Sequence, residues 1–197
     1  MNTLVLEHLA RLLEYPDRET VPLAEALLSD LRADPARAAV ADALTPFVVE
    51  ARGMAPAVLE EAYSRSFDLS PVCVPYVSVH LFGEESFHRA RLMTALAARW
   101  EELGLDLGAE LPDHLALVLR GGARLSPDEW RELLRLGVLP ALVVMQAQIA
   151  RAKTPYRHVI DAALISASID ADLTLEAAQK LPLPMQRLKH PMEVAHA

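Results

Sequence analysis

The densest group of ionisable residues in the sequence is the segment Glu110-Leu-Pro-Asp-His114. A carboxylate beside an imidazole can act as an acid–base pair, so Asp113 and His114 leave open a small hydrolase or lyase. The segment also suits a helix start, because Pro112 fits a first turn where Glu110 and Asp113 would accept hydrogen bonds from free amides. The residue types favour the helix start and do not exclude the acid–base pair.

Two other groups of residues carry chemistry of their own. His80, Glu84, Glu85 and His88 lie close together, but a di-iron bundle needs repeated Glu-x-x-His motifs and further glutamates, and Glu85-Ser-Phe-His88 occurs once. We interpret these residues as surface ion pairs and predict no metal site. Cys73 lies between valines and prolines, which is typical of a small buried apolar residue. The sequence contains no nucleophile elbow, Walker loop or dinucleotide fingerprint, and we predict no catalytic residue.

Apolar residues recur at helical spacing along most of the chain, as at Val5, Leu9 and Leu12. The loop 69–83 is different, because Pro71 and Pro75 interrupt its valines. We predict an ordered, largely buried loop with room for a short helical turn, and an edge strand is the alternative. The predicted helices cover 1–15, 20–32, a short stretch between Pro35 and Pro46, 56–67, 84–103, 110–120, 126–153, 154–167 and 175–181. Thr45-Pro46 is predicted to cap and begin a helix. Gly121-Gly122 is predicted to break the chain, and Gly137 and Pro140 to kink or restart a helix.

Composition supports the same fold class. Hydrophobic residues make up 52% of the chain and aromatic residues 5%, and the abundant Leu and Ala are strong helix formers. The prediction is an all-α, single-domain helical bundle. Residues 1–170 form the helical domain, and residues 171–197 form a short helix and a loose C-terminal tail.

Charge and cysteine content restrict the partners and the compartment. The net charge is −8 and the arginines are scattered singly, so nucleic acid is an unsuitable partner and a basic protein surface is a better one. A lone cysteine fits a reducing cytoplasm. The N-terminal segment lacks the basic head of a signal peptide, and the apolar run Leu136–Met145 is too short to span a bilayer. We expect a soluble, cytoplasmic protein without direct membrane insertion.

Three segments in a fixed order indicate a family. They are Tyr63-Ser-Arg-Ser-Phe67-Asp68, the loop that ends in His80-Leu-Phe-Gly83, and, after a long helix, Glu110-Leu-Pro-Asp-His-Leu115. This order and spacing resemble the NarJ-type assembly chaperones of respiratory nitrate reductase, within the wider TorD-like family of redox-enzyme maturation proteins. The resemblance runs from about residue 1 to 170, and the Glu110–Leu115 block is its most specific part. The loop 69–83 is richer in valine than the family pattern.

The resemblance implies a TorD-like, non-catalytic, cytoplasmic chaperone. Such a chaperone binds the apo catalytic subunit of a molybdoenzyme, often through the subunit's N-terminal peptide, and assists insertion of the molybdenum cofactor without durably holding it. A monomer and a homodimer both remain open, as does the role of a helical interaction module in another pathway. The family's motif positions, carried over as partner-binding residues, are Tyr63, Phe67, Asp68, Glu110, Leu111, Pro112, Asp113 and His114.

Overall fold

The structure is a computed structural model that describes residues 1–184, and this part of the chain is all-α, as predicted. A 3-10 turn at Pro35–Arg37 precedes α3, and a π-helical turn at Leu134–Val138 joins α8 to α9. The helices are α1 (Thr3–Leu12), α2 (Thr20–Ala33), α3 (Ala38–Arg52), α4 (Pro56–Phe67), α5 (Val77–Phe82), α6 (Phe87–Glu102), α7 (Leu115–Gly122), α8 (Pro127–Leu133), α9 (Leu139–Ile149), α10 (Tyr156–Asp170) and α11 (Leu175–Gln179).

One apolar core connects these helices. α3 packs along α10, α1 packs against α7 and α2, and α10 also contacts α9. The largest fully buried side chains include Trp100, Trp130, Tyr156 and Phe47. The bundle predicted from helical periodicity is therefore the observed architecture, because each amphipathic helix turns its apolar face towards this core.

Pro46 lies inside α3 and does not begin a helix. The prediction of a helix start at Thr45-Pro46 was wrong. Pro46 removes one backbone donor, and the hydroxyl of Thr45 donates to the carbonyl oxygen of Ala41 at 2.7 Å. The apolar face of α3 includes Leu44, Phe47 and Val48, and its packing keeps the helix continuous despite the proline.

Gly121 and Gly122 lie within the last turn of α7, so the predicted break at this pair was also wrong. A Cβ atom on Gly121 would lie 2.2 Å from the ring of Trp100, and one on Gly122 would lie 2.6 Å from the ring of Trp130. The glycines are needed for close approach of two tryptophans to the helix, and not for a turn.

The chain is helical without interruption from Pro127 to Ile149, with the predicted irregularity at Gly137 present as the π-helical turn. This is the one stretch of the described residues long and apolar enough to cross a membrane. Half of its most apolar part is buried within the protein, and core helices of soluble proteins can have the same length and composition.

The loop 69–83 contains the short helix α5 and a single β-bridge between Tyr76 and His114. The helical turn is confirmed, and in this segment no strand forms. Part of the loop is more open than predicted, because Leu69 is 77% exposed. The C-terminal segment predicted from residue 171 packs on the core as far as it is described, since Ala171 and Ala178 are buried. The loose tail predicted beyond it, from residue 185, lies outside the described residues.

Candidate partner-binding site

Asp113 is fully buried and holds the start of α5. Its main-chain oxygen accepts from the Val77 amide at 2.9 Å, and its Oδ2 accepts from the Ser78 amide at 3.3 Å and from the Ser78 hydroxyl. The Nε of Arg89 donates to that hydroxyl at 3.1 Å. Oδ1 of Asp113 has no hydrogen-bond partner among the described residues. Asp113 therefore connects the Glu110–Leu115 block to α5 and, through Ser78, to α6.

His114 is the N-cap of α7. It is 4% exposed, and its Nδ1 accepts from the Ala116 amide at 3.2 Å, which leaves the ring proton of the neutral form on Nε2. Its ring lies edge-on to that of Tyr76. Burial lowers the pKa of His114, while nearby carboxylates, Glu110 foremost, act in the opposite direction.

The helix start predicted for the Glu110–His114 segment is real but differs in detail. α7 begins at Leu115, and the cap is His114, whereas Pro112 precedes the helix and Asp113 bonds to α5. Asp113 and His114 point to different partners, so their side chains do not form the acid–base pair that a hydrolase or lyase would need. The carbonyl oxygen of Pro112 accepts from Nε1 of Trp100 at 2.8 Å, which fixes the block on α6.

Tyr63 and Phe67 belong to a buried aromatic cluster and not to the surface. Their rings lie 5.2 Å apart, and both pack edge-on against Tyr156, which the sequence had not singled out for this role. The Tyr63 hydroxyl donates to the carbonyl oxygen of Leu13 at 3.1 Å. Burial raises the pKa of the Tyr63 hydroxyl. These motif residues join α4 to α1 and α10, and they place the end of α4, where Asp68 follows.

The exposed motif residues and two neighbours from the loop 69–83 form what we call the acidic face: Asp68, Leu69, Glu110 and Leu111, which are exposed, and Tyr76, which is half-buried. Leu69 and Leu111 are exposed apolar residues beside the two carboxylates. The Tyr76 hydroxyl donates to Oε2 of Glu110 at 3.4 Å. Desolvation raises the pKa of Asp68, and the nearby charge of Glu110 adds to this effect. Within the described residues, neither carboxylate has a cation at ion-pair distance.

Sequence reasoning missed Tyr76, Ser78 and Arg89. Tyr76 and Ser78 lie in the valine-rich loop, and Arg89 lies on the first turn of α6. Ser78 meets Asp113 across 35 positions of the chain. No local pattern marks such a contact, although the position of Tyr76 just before the His80-Leu-Phe-Gly83 segment was a usable signal.

A second feature is an apolar groove of about 440 Å³ between α5, α6, α7 and the π-helical turn. We call it the apolar groove. Leu81, Leu92, Leu96 and Leu136 are among its walls, and the carboxylates Glu129 and Glu132 lie among the lining residues. Val77, whose amide Asp113 holds, also lines it. The start of α5 therefore lies between the two features, because its N-cap Tyr76 belongs to the acidic face and its first residue Val77 lines the groove.

The remaining candidates have simpler surroundings. Cys73 is 1% exposed, and burial raises the pKa of its thiol to about 12, so it is a packed apolar residue, as predicted. His80 places Nε2 2.8 Å from the carbonyl oxygen of Val74, and burial lowers its pKa. In the described part of the chain, no group of three or more His, Cys, Asp or Glu residues is placed to hold a metal ion.

The family model described as nitrate reductase delta subunit matches residues 30–153. Two curated relatives, from Escherichia coli K12 and Escherichia coli O157:H7, are described as the nitrate reductase molybdenum cofactor assembly chaperone NarJ. Each is 31% identical over 171 residues, which cover 85% of this chain and 72% of the relative. The resemblance seen in the sequence is thereby confirmed, and the chain belongs to the nitrate reductase delta subunit family, with NarJ-type chaperones as relatives.

Proposed function

We propose that this chain is an assembly chaperone that binds the apo catalytic subunit of a respiratory molybdoenzyme, in the first place nitrate reductase, and assists insertion of its molybdenum cofactor. The observation that carries this proposal is the similarity to NarJ over 85% of the chain. The chaperone works in the cytoplasm, catalyses no reaction and does not durably hold the cofactor. Its partner is the catalytic subunit, engaged through the subunit's N-terminal peptide.

The acidic face supports a basic partner. Asp68 and Glu110 influence each other as like charges, and no cation within the described residues compensates either one at ion-pair distance. Like charges held together destabilise a free protein, and a bound cation relieves that repulsion. Exposed Leu69 and Leu111 add apolar area beside the charges. A segment with an arginine or lysine next to an apolar side chain fits this surface.

The apolar groove supports an amphipathic peptide. Helical peptides bind to their receptors by laying an apolar face into such a groove. Rim carboxylates such as Glu132 would set the orientation of a peptide with basic residues more than its affinity. We therefore infer that the client's N-terminal peptide places its apolar residues in the apolar groove, and that client basic residues contact the acidic face.

Coupled expression tests the function itself. The catalytic subunit of nitrate reductase from the same source is produced with and without this chain, and its molybdenum content and nitrate reduction are measured. We expect cofactor-loaded, active subunit only in the presence of the chain. Equal molybdenum content in both preparations contradicts the proposal.

Charge removal on the acidic face tests the binding surface. Asp68→Asn and Glu110→Gln should each weaken binding of the catalytic subunit by about tenfold, because a charge-assisted hydrogen bond contributes roughly 1.5–3 kcal/mol. The free energy of unfolding of the free chaperone should stay the same or rise, because a like-charge repulsion is removed.

Matched controls separate this effect from net charge. Asp30 on α2 and Glu101 on α6 are exposed carboxylates outside the acidic face, so Asp30→Asn and Glu101→Gln should leave affinity unchanged. If all four variants weaken binding equally, long-range attraction explains it and the acidic face is not the site. If none does, the carried-over residues are not the binding surface.

A further inference from the structure

The apolar groove has an edge that belongs to the C-terminal part of the chain. Pro184, the last residue that the structure describes, lines the groove together with residues of α5, α6 and α8. Just before it, Leu181 and Leu183 pack against the core. The last described residue thus lies at the groove, and residues 185–197 follow it in the sequence.

The composition of this continuation matches the groove. Its first residues are Met185-Gln-Arg-Leu188-Lys189, so two apolar and two basic side chains lie within five positions. Each residue extends a chain by at most about 3.6 Å, so Met185 and Leu188 are within reach of a groove whose wall includes Pro184. Leu136, on that wall, is 47% exposed, and a covering side chain would remove it from water.

Charge at the rim matches as well. Glu132 lines the groove and has no ion-pair partner within the described residues, whereas Glu129 is paired with Arg99 at 2.7 Å. The neighbouring arginines are engaged elsewhere: Arg131 pairs with Asp128 and Asp172, and Arg135 donates to the carbonyl oxygen of Ala171. The uncompensated carboxylate suits the cations of Arg187 or Lys189.

We propose that residues 185–197 of the chain occupy its own apolar groove in the free chaperone, so that the client peptide must displace them. The regulation of client binding rests on the proposed function, whereas the occupancy of the groove does not. A tethered segment acts at a high effective concentration, so even a weak contact keeps the groove covered.

A disulfide trap in the full chain tests the occupancy. Leu136→Cys with Leu188→Cys is compared with Val49→Cys and Leu188→Cys, because Val49 is 67% exposed on α3 and outside the groove. The native Cys73 is buried and does not compete. Under oxidised glutathione, we expect an intramolecular disulfide between positions 136 and 188 at a rate at least about tenfold above the control, as effective concentration requires.

Three outcomes would overturn the proposal. These are equal rates in both pairs, no disulfide in either, and a disulfide that joins two copies, which would assign the groove to a second copy. A conservative variant, Leu188→Met, should leave client affinity unchanged, while Leu188→Asp should tighten it by about threefold to tenfold as the open fraction rises.

Repeating the disulfide experiment with the client's N-terminal peptide separates this inference from the proposed function. The client's N-terminal peptide should slow formation of the disulfide between positions 136 and 188. If the disulfide forms and the peptide neither binds nor slows it, the groove is covered by residues 185–197 and the proposed client site is wrong. If the peptide binds with equal affinity in the Leu188→Asp variant, there is no competition and the regulatory role is wrong.

Discussion

At the scale of single residues, half of the eight-residue motif that resembles the family pattern is buried. Asp113 and His114 are buried, so in the proposed function they position other groups and do not contact the partner themselves. Asp68 and Glu110 remain at the surface and carry the charge that a partner can reach. The motif thus divides into a buried part, which holds α4, α5 and α7 in place, and an exposed part, which contributes to the acidic face.

The contact between Asp113 and Ser78 leads to a prediction about coupling. Asp113→Ala should lower the free energy of unfolding by about 1–3 kcal/mol, because it leaves the Ser78 hydroxyl and amide without their acceptor. It should also weaken client binding, since Val77 and Leu81 of α5 line the apolar groove. Asp113→Asn keeps an oxygen that can accept from Ser78, so its losses of unfolding free energy and of client affinity should both be smaller.

A double-mutant cycle with Ser78→Ala checks that prediction. The two substitutions should be non-additive, because they remove the same hydrogen bond. Urea denaturation gives the stabilities and titration calorimetry the affinities. Additive stability losses would show that the two side chains act independently.

His114 makes stability depend on pH. Its pKa in the folded protein is lowered from 6.5 by burial, so the unfolded chain takes up a proton more readily. Its contribution to stability is present above about pH 6.5 and is lost as the pH falls through the lowered folded value. Protonation of Nδ1 would also remove the cap on the Ala116 amide.

The variant His114→Asn tests this pH dependence, because asparagine can cap a helix without titrating. Its unfolding free energy, measured by urea denaturation between about pH 5 and pH 7.5, should fall less steeply than that of the unsubstituted protein. His80 also has a lowered pKa from burial, so His80→Gln serves as the comparison. An unchanged slope in His114→Asn would assign the pH dependence to other groups.

At the scale of helices, the spacing of apolar residues predicts which segments are helical. Proline and glycine residues are less reliable as signs of where a helix begins or ends. α4 was predicted with its observed bounds because its apolar residues and Pro56 agree. Pro46 and Gly121-Gly122 indicate helix boundaries in the sequence, yet both lie inside helices. Their roles depend on contacts with α10, Trp100 and Trp130, which local sequence does not encode. The contact of Ser78 with Asp113 was invisible for the same reason, since it is long-range.

The two glycines of α7 give a prediction at this scale. Gly121→Ala and Gly122→Ala should each destabilise the protein by at least about 1–3 kcal/mol, because the added methyl groups would overlap the rings of Trp100 and Trp130. Gly53→Ala is the control, since its Cβ would meet nothing closer than 3.6 Å. Thermal unfolding measures all three. Equal midpoints would mean that the tryptophans move aside without cost.

At the scale of the whole molecule, one buried ion pair joins distant segments. Asp170 at the end of α10 accepts from Arg37, in the 3-10 turn, at 2.5 Å and from Nε1 of Trp130, in α8, at 3.3 Å. Arg37 also donates to the Ser166 hydroxyl at 2.9 Å. These contacts connect the first part of the chain to its last long helix, and none of the four residues lies in the acidic face or lines the apolar groove.

Removing one partner of this pair should therefore separate stability from function. Arg37→Ala leaves Asp170 buried without its main cation and should cost about 3–5 kcal/mol, towards the lower end because the Met1 ammonium lies 3.7 Å from Asp170. Adding Asp170→Leu to Arg37→Met should recover part of the loss, because no buried charge then remains, although Nε1 of Trp130 loses its acceptor. Client affinity, measured calorimetrically below the unfolding transition, should match that of the unsubstituted chaperone in each variant that is folded. If the double variant is stable but binds the client more weakly, the loss of stability cannot explain the weaker binding. The ion pair would then contribute to client binding as well as to stability.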